Sequence, residues 1–192
     1  MKRILTVLCA AVTMLSVSAC ASGSGAESSQ TAVPDYMEVV SDENVPQAYA
    51  DVAKAYFEAI QNDDYDAYAK TVYPPYLDAY GAYLQKKDSD VEKAFHKMTH
   101  VFDEDGYESW RLTRLELRCK DEPDADGFFT TYQKDGIFDD AFIEAAKKDA
   151  KEYQNVVFSL SALYAGDEEP VTVVQSKQLF MIQNDTGVYL FG

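Results

Sequence analysis

The stretch Ala48–Ala69 reads AYADVAKAYFEAIQNDDYDAYA and decides the fold of the chain. Apolar side chains recur along its first part at helical spacing: Val45, Tyr49, Val52, Tyr56, Ala59 and Ile60. This spacing predicts an amphipathic helix over 46–61, with Asn44 as a possible cap and Pro46 in the first turn. The acidic turn 62–64 ends that helix and opens a second, short one. We therefore predict a long helix, a turn and a short helix, each with one buried face.

Helix signals continue after this stretch. Pro74-Pro75 ends the short helix and opens a third one. Ser89 and Glu92 have the spacing of a capping box and predict a fourth helix over about 90–102. A further helix is predicted over about 139–152. The chain therefore has a helical first half and one later helix.

Strand signals dominate the end of the chain. We predict an extended stretch at 36–40 and then strands over 108–120, 155–164, 171–183 and 188–191. In the second of these four strands, Val156, Phe158, Leu160, Ala162 and Tyr164 alternate toward one face. Residues 179–182 are apolar on both faces, which is typical of a central strand. Helices first and strands last predict an α+β fold with the helices on one face of a curved antiparallel sheet.

Two segments resemble the nuclear transport factor 2-like superfamily, in particular its lipid-anchored bacterial members. They are Ala48–Ala69 and the closing hairpin Leu179–Gly192, with its turn at 185–187 and the aromatic Tyr189 and Phe191. The resemblance implies a domain over 45–192 in which helices and a curved sheet form a cone around a pocket, with extra helices near 90–102 and 139–152. This superfamily includes enzymes, binding proteins and structural modules, so the fold alone does not imply a function.

The first residues have the layout of an export signal. Met1-Lys2-Arg3 precedes an apolar run to Val17 and then small residues. The end of the run, Val17-Ser18-Ala19-Cys20, resembles the bacterial lipobox. This resemblance implies that residues 1–19 are removed and that Cys20 carries acyl chains such as palmitate, which anchor an extracytoplasmic protein to the cell membrane. The alternative is a plain secretory signal in which Cys20 is incidental.

The composition of the mature chain agrees with export. Residues 20–44 form the lipidated cysteine and a flexible tether rich in Ser, Gly and Ala. Cys9 leaves with the signal and Cys20 takes the lipid, so Cys119 remains alone and no intramolecular disulfide is expected. A thiol in a strand is by default buried and unreactive.

The charge of the chain excludes one class of partner. The formal net charge is −16 at pH 7, and 47% of the residues are hydrophobic. A cationic surface is what phosphate recognition depends on, so we expect no nucleic-acid partner. The expected partners are the membrane, through the lipid anchor on Cys20, and a small molecule or another envelope component.

Three patterns in the sequence are candidate metal- or ligand-binding sites. His96 and His100 stand four residues apart, as in a two-histidine metal site, although an exposed helix face is the simpler interpretation. Glu122, Asp124, Asp126 and Gly127 imitate half of a calcium loop, but Gln133 occupies the last ligand position, so a solvated strand-to-strand loop is favoured. Tyr76, Tyr80 and Tyr83 form either a stacking surface or half-buried packing.

The leading hypothesis is a non-enzymatic ligand- or protein-binding module at the cell envelope. Tyr49, Tyr56 and Trp110 are the candidate pocket residues. The alternative is an isomerase- or cyclase-type enzyme, which requires a buried carboxylate facing a pocket of about 300 Å³ or more. Surface metal binding through His96 and His100 is a second alternative. No catalytic residue can be nominated and no cofactor is expected, because the sequence contains no nucleophile triad, phosphate loop or dinucleotide fingerprint.

Overall fold

The computed structural model describes residues 36–103, 109–119 and 123–191. Within these ranges the chain has an α+β fold. The helices are α1 (Gln47–Gln61), α2 (Tyr65–Thr71), α3 (Pro74–Gln85), α4 (Val91–Thr99), α5 (Ala125–Lys134) and α6 (Asp140–Asp149). The strands are β1 (Glu38–Ser41), β2 (Trp110–Cys119), β3 (Glu152–Tyr164), β4 (Val171–Gln183) and β5 (Val188–Leu190). The predicted signal peptide and Cys20 lie outside the described residues.

The strands form one curled, mixed sheet in the order β1-β2-β3-β4-β5. Neighbours from β2 to β5 are antiparallel, as predicted. β1 pairs with β2 in parallel, with Glu38 opposite Arg114, so the expectation of a wholly antiparallel sheet is wrong. A parallel pair needs a long crossover, and α1–α4 supply it. The sheet thus begins at residues that the sequence analysis placed in the tether.

The predicted helices are confirmed, but two of their caps differ. Pro46 precedes α1 without a side-chain cap, and the backbone N–H of Asn44 donates instead to Asp42 Oδ1 at 3.0 Å. Asp90, rather than Ser89, caps α4, because its carboxylate accepts the N–H of Lys93 at 2.8 Å. No helix in the part of the chain that the structure describes is long and apolar enough to cross a membrane.

The helix α5 is absent from the sequence-based prediction, which placed a strand-to-strand loop at its start. Asp124 accepts the N–H of Gly127 at 2.8 Å and caps the helix. Asp126 lies in the first turn, where a negative charge is favourable. The acidic residues therefore start a helix, and the expectation of a strand-to-strand loop is wrong.

One face of the sheet is covered by α1, and α4 packs against α1, α2 and α3. The five alternating residues of β3 are all buried, as predicted: Val156, Phe158, Leu160, Ala162 and Tyr164. Phe57 of α1 contacts Phe158 with a ring-centroid distance of 4.9 Å. Phe95 of α4 contacts Tyr68 of α2 at 4.7 Å. Burial of each large apolar side chain here contributes about 1.5–3 kcal/mol.

The opposite face of the sheet is also covered at one end. Phe180 leaves β4 on the face opposite that of its neighbours Leu179 and Met181, and Phe128 of α5 stacks on it with centroids 4.1 Å apart. The hydroxyl of Tyr153 donates to the carbonyl of Ala146 in α6 at 3.2 Å. This confirms the central-strand character predicted for 179–182. It also corrects the expectation that helices pack on one face only.

Candidate functional site

A cavity of about 530 Å³ lies between α5 and the end of the sheet; we call it the α5 cavity. The residues that line it come from α5 with its cap, from β3 and β4, and from the end of the chain. They are Asp124, Gly127, Phe128, Thr131, Tyr132, Asn155, Gln178, Leu179, Phe180, Leu190 and Phe191. The lining combines aromatic rings with amide, hydroxyl and carboxylate groups, which is the composition of a ligand site.

The cap of α5 forms one wall of this cavity. A Cβ added to Gly127 would lie 2.2 Å from Asp124 Oδ2, so any larger residue would displace the carboxylate. Glycine at this position lets the Asp124 side chain fold over the first turn of the helix. One of its oxygens accepts the Gly127 N–H. The neighbouring Asp126 pairs with Lys147 at 2.6 Å.

Aromatic side chains form the apolar part of the lining. The rings of Phe128 and Phe180 stack at an interplanar angle of 19°. Phe191 contacts Phe128 at 5.2 Å and Phe180 at 5.6 Å between centroids. Tyr132 lies one turn along α5, 4.5 Å from Phe128, and burial raises the pKa of its phenol. Phe180 and Phe191 are buried, whereas Phe128 and Tyr132 are only half-buried.

Asn155 on β3 is one of the lining residues and has an unpaired polar atom. Its Nδ2 donates to Gln178 Oε1 at 2.9 Å. Its Oδ1 is inaccessible to solvent and accepts no hydrogen bond from any described residue. Most buried polar atoms in folded proteins are hydrogen-bonded, and an unpaired one costs about 1–3 kcal/mol. Because Oδ1 is closed to water, it is also closed to a ligand in the α5 cavity, and its missing hydrogen bond is a local cost to stability.

The predicted pocket residues do not meet in one cavity. Tyr56 lines a second cavity of about 270 Å³, between α1, α4 and the sheet, whose lining includes neither Tyr49 nor Trp110. Tyr49 is buried, its hydroxyl lies 3.3 Å from Gln183 Oε1, and burial raises its pKa to about 12. Trp110 donates from Nε1 to Asp103 at 2.8 Å. Of the three, only Tyr56 lines a cavity described here.

The carboxylate required by an isomerase or cyclase is not found in the second cavity. Its lining is almost wholly apolar apart from Lys177 and Gln178. The hydroxyl of Tyr56 lies 3.5 Å from the Met98 sulfur, and burial raises its pKa. No aspartate or glutamate is buried within residues 36–103, 109–119 and 123–191. The described residues therefore provide no buried general base for proton transfer.

The two histidines are exposed, and each has its own carboxylate partner. His96 Nδ1 lies 2.6 Å from Asp63 Oδ1, and His100 Nδ1 lies 2.7 Å from Asp103 Oδ2. The hydrogen bond to Asp63 raises the pKa of His96. In the described part of the chain, no three His, Cys, Asp or Glu side chains are grouped so that they could hold a metal ion. Glu122 of the calcium-like motif lies outside the described residues.

The tyrosines of α3 and the thiol of Cys119 make packing and hydrogen-bond contacts within the fold. Tyr76 is buried, and Tyr80 stacks on it with a centroid distance of 5.5 Å. Tyr83 stacks on Tyr80 at 6.1 Å, so the series runs from the core to the surface.

Cys119 is half-buried, its Sγ donates to the carbonyl of Asn44 at 2.9 Å, and burial raises the pKa of the thiol. A raised pKa suppresses the reactive thiolate.

The sequence analysis missed α5 and, with it, the site. Asp124 three residues before Gly127 fits an N-cap as well as it fits a calcium loop, and this signal could have revealed the helix. Asn155 carried no signal, because a polar residue in an alternating strand is expected to face solvent. Comparison with known proteins finds no matching family model, no matching curated protein and no matching solved structure.

Proposed function

We propose that this protein is a lipid-anchored, extracytoplasmic binding module that holds a small ligand in the α5 cavity. The single observation that carries the proposal is a cavity of about 530 Å³ whose lining combines aromatic rings with amide, hydroxyl and carboxylate groups. A ligand in this cavity would cover apolar surface and exchange hydrogen bonds with the polar groups. Binding would then stabilise the fold.

The size and composition of the α5 cavity support this function. Small-molecule sites have volumes of about 300–1,000 Å³ and combine apolar walls with a few polar groups. The α5 cavity, at about 530 Å³, falls within that range. Asp124 supplies the one carboxylate among the described lining residues, and it is exposed and caps a helix. These features favour binding over proton-transfer chemistry.

The nuclear transport factor 2-like cone remains part of the proposal. In its support, a long and a short N-terminal helix pack with a curled sheet that ends in an aromatic hairpin. The helices α4, α5 and α6 would be additions to that plan. The α5 cavity takes part of its lining from Leu179 and Leu190, which pair with Val156 and Met181 on the α1 face of the sheet.

A ligand screen with a blocked cavity tests the binding function. Envelope glycans, peptides and metabolites would be screened by thermal shift against the wild type, Thr131→Trp and Thr130→Trp. Thr131 lines the cavity, whereas Thr130 is its exposed neighbour on α5 outside the lining. We expect a ligand that stabilises the wild type and Thr130→Trp but not Thr131→Trp. Ligands that stabilise all three equally would contradict the assignment of the site.

Metabolic labelling tests the anchor. We propose that Cys20 carries the lipid, on the strength of the lipobox resemblance. Cells expressing the full chain would be fed radiolabelled palmitate. Label should enter the wild type and Cys119→Ala, and should be absent from Cys20→Ala. Equal labelling of Cys20→Ala, or recovery of the wild type in the cytosolic fraction, would contradict the proposed location.

A further inference from the structure

The two edges of the sheet end in different ways. At the β5 edge, Val72 forms a bridge to Leu190, and the N–H of Tyr73 donates to the Leu190 carbonyl at 2.7 Å. At the other edge, β1 pairs with β2 and with no further strand of the described chain. An edge strand offers its outward backbone groups to another chain unless something covers or blocks it. The β1 edge is therefore the place where another chain can extend the sheet.

The hydrogen bonds between β1 and β2 show which backbone groups of β1 face outward. The N–H of Asp42 donates to the carbonyl of Leu117 in β2 at 2.8 Å. Backbone groups of successive residues point to opposite sides of a strand. Those of Val39 and Ser41 therefore point away from β2, and no backbone hydrogen bond joins them to another residue in the described ranges. Each of these two residues presents one N–H donor and one carbonyl acceptor at the edge.

A groove with an apolar floor follows this edge on the α1 side of the sheet. It has a volume of about 370 Å³ and lies between β1 and α1, with Met37, Val39 and Ala50 as its floor. Met37 and Ala50 are buried, and Val39 is half-buried. The other lining residues are polar or charged: Tyr36, Glu38, Gln47, Asp51 and Lys54. Side chains of an added strand would alternate between the two faces of the sheet, so every second one would lie over this groove.

The opposite face of β1 is acidic. Glu38 and Asp42 share that face and are both exposed. Arg114 and Arg118 of β2 lie one strand further away, and Arg114 already pairs with Glu38 at 3.2 Å. A side chain of an added strand would lie beside Glu38 or Asp42 at the short distance of a cross-strand pair, where an opposite charge is favourable. The acidic face therefore favours lysine or arginine in the added strand.

A second copy of this chain fits the edge poorly. In an antiparallel pair of two β1 strands, the register that uses Val39 and Ser41 of both copies places Glu38 of one copy opposite Asp42 of the other. Like charges directly opposite each other are destabilising. Each copy also carries a net charge of −16 at pH 7, which adds repulsion at long range. A basic partner has the complementary charge.

We propose that β1 is a docking edge for an extended segment of another polypeptide, in which basic side chains alternate with apolar ones. The backbone of the segment bonds to Val39 and Ser41. Its apolar side chains lie over the groove, and its basic side chains lie beside Glu38 and Asp42. Main-chain hydrogen bonds supply the affinity in this mode of recognition, and alternate side chains supply the specificity. No residue of β1 lines the α5 cavity, so the docking edge is independent of the proposed small-ligand site.

An NMR titration of the full chain tests the docking edge with three synthetic peptides. The first is Lys-Val-Lys-Val-Lys-Val-Lys, which has the proposed alternation. The second has glutamate in place of every lysine, and the third has the lysines and valines in separate blocks. We expect only the first to bind, with the largest shifts at the amides of Val39 and Ser41. These amide hydrogens should also exchange more slowly with solvent, because they become hydrogen-bonded.

Two pairs of variants separate the backbone contribution from the charge contribution. Ser41→Pro removes an outward N–H and should weaken the alternating peptide about tenfold or more, whereas Ser41→Ala keeps the N–H and should bind like the wild type. Asp42→Asn should weaken the peptide about threefold, as expected for an exposed ion pair. Asp78→Asn removes an exposed charge on α3, outside the groove lining, and should leave binding unchanged. Thermal unfolding would show that each variant is folded.

Several outcomes would overturn the docking edge. Equal binding of the alternating and block peptides, or equal weakening by Asp42→Asn and Asp78→Asn, would reveal nonspecific attraction to an acidic protein. Absence of binding by all three peptides would overturn the inference, as would amide shifts centred away from β1, and neither result requires Ser41→Pro to fold. A wild-type dimer in sedimentation that is lost in Ser41→Ala and Ser41→Pro alike, or in Ser41→Pro alone, would assign the edge to a second copy instead. None of these outcomes bears on the α5 cavity, which Thr131→Trp tests.

Discussion

The two faces at the end of the sheet are covered in different ways. On one face, α1 and α4 pack a continuous aromatic core, in which Phe57, Phe95 and Phe158 are all buried. On the other face, α5 brings Gly127 and Thr131 to the sheet beside half-buried rings, and a cavity of about 530 Å³ remains. The α1 face thus combines a buried aromatic core with a cavity of about 270 Å³, whereas the cavity beside α5 is about twice as large and has more polar groups in its lining.

This difference shows how a small domain can separate stability from function. Buried rings of the α1 face pack on one another, as Phe57 does on Phe158, so this face contributes to folding whether or not a ligand is present. The α5 face leaves an acceptor unpaired and rings partly uncovered, which costs stability in the absence of a ligand. Functional sites often carry such local costs.

Truncation of a side chain in the core of the α1 face should have the largest effect on stability. Phe95 is 2% exposed and contacts the rings of Tyr65 and Tyr68. Phe95→Ala should lower the free energy of unfolding by about 3–5 kcal/mol, because the cavity left in a packed core cannot be refilled. Urea denaturation measures this change. A loss under about 1 kcal/mol would show that this face is not the main stabilising core.

The corresponding truncation on the α5 face should reduce stability less than Phe95→Ala does, but it should abolish ligand binding. Phe128 is half-buried and stacks on Phe180. Phe128→Ala should lower the free energy of unfolding by about 1–3 kcal/mol, because part of the ring is already exposed. Ligand binding in the α5 cavity should be lost. If Phe95→Ala abolished binding while Phe128→Ala preserved it, the assignment of roles to the two faces would be reversed.

Replacement of Asn155 should separate stability from binding most clearly. Asn155→Leu removes the unpaired buried acceptor along with one hydrogen bond to Gln178. The free energy of unfolding should stay unchanged or rise by about 1 kcal/mol, since an unsatisfied buried group is removed. Gln178→Leu is the matched contrast, because it removes the same bond and keeps the acceptor. Marked destabilisation by Asn155→Leu alone would mean that Oδ1 has a structural partner.

The smallest effect is expected from the exposed pair of His96 and Asp63. The pKa of His96 is raised from 6.5 by its hydrogen bond to Asp63, and that of Asp63 is lowered from 3.8 by the same bond. The stability that protonated His96 contributes to folding is complete below pH 6.5 and is lost as the pH rises through the raised pKa of His96. The stability that ionised Asp63 contributes to folding is complete above pH 3.8 and is lost as the pH falls through the lowered pKa of Asp63.

A double-mutant cycle tests this pH window. Thermal midpoints of the wild type, His96→Gln, Asp63→Asn and the double variant would be compared across pH. The coupling should be largest between pH 3.8 and 6.5 and should vanish in alkaline solution, where the imidazole is neutral. Coupling that persists unchanged into alkaline solution would contradict an ionic origin.

The helices and strands that have a periodic pattern of apolar residues were predicted correctly from the sequence. The apolar stripe of 46–61, the alternation of 155–164 and the double-sided apolar run at 179–182 were confirmed as α1, β3 and the end of β4. Each signal is repeated over many residues, so a single atypical side chain does not obscure it. The parallel pairing of β1 was not predictable in this way, because four residues carry no register information.

The site was not predictable, for a physical reason. The apolar residues of α5 do recur at helical spacing, as Ala125, Phe128, Phe129 and Tyr132, but the helix is only ten residues long and begins in an acidic motif that also fits a calcium loop. Asn155 occupies a position in β3 where a polar residue normally contacts water. That its carbonyl oxygen is buried is a property of the tertiary structure and not of the alternation. Sites assembled from a short helix and an ordinary strand position leave little trace in one sequence.

A high-resolution crystal structure, examined at Asn155, tests the central claim most directly. We expect an open cavity beneath α5 that contains water molecules or a ligand, with Asn155 Nδ2 bonded to Gln178 and Oδ1 without a protein donor. The contrary result would be a closed interface, with α5 packed down onto β3 and a protein donor bonded to Oδ1. That arrangement would make both faces of the sheet equivalent and would leave no binding site under α5.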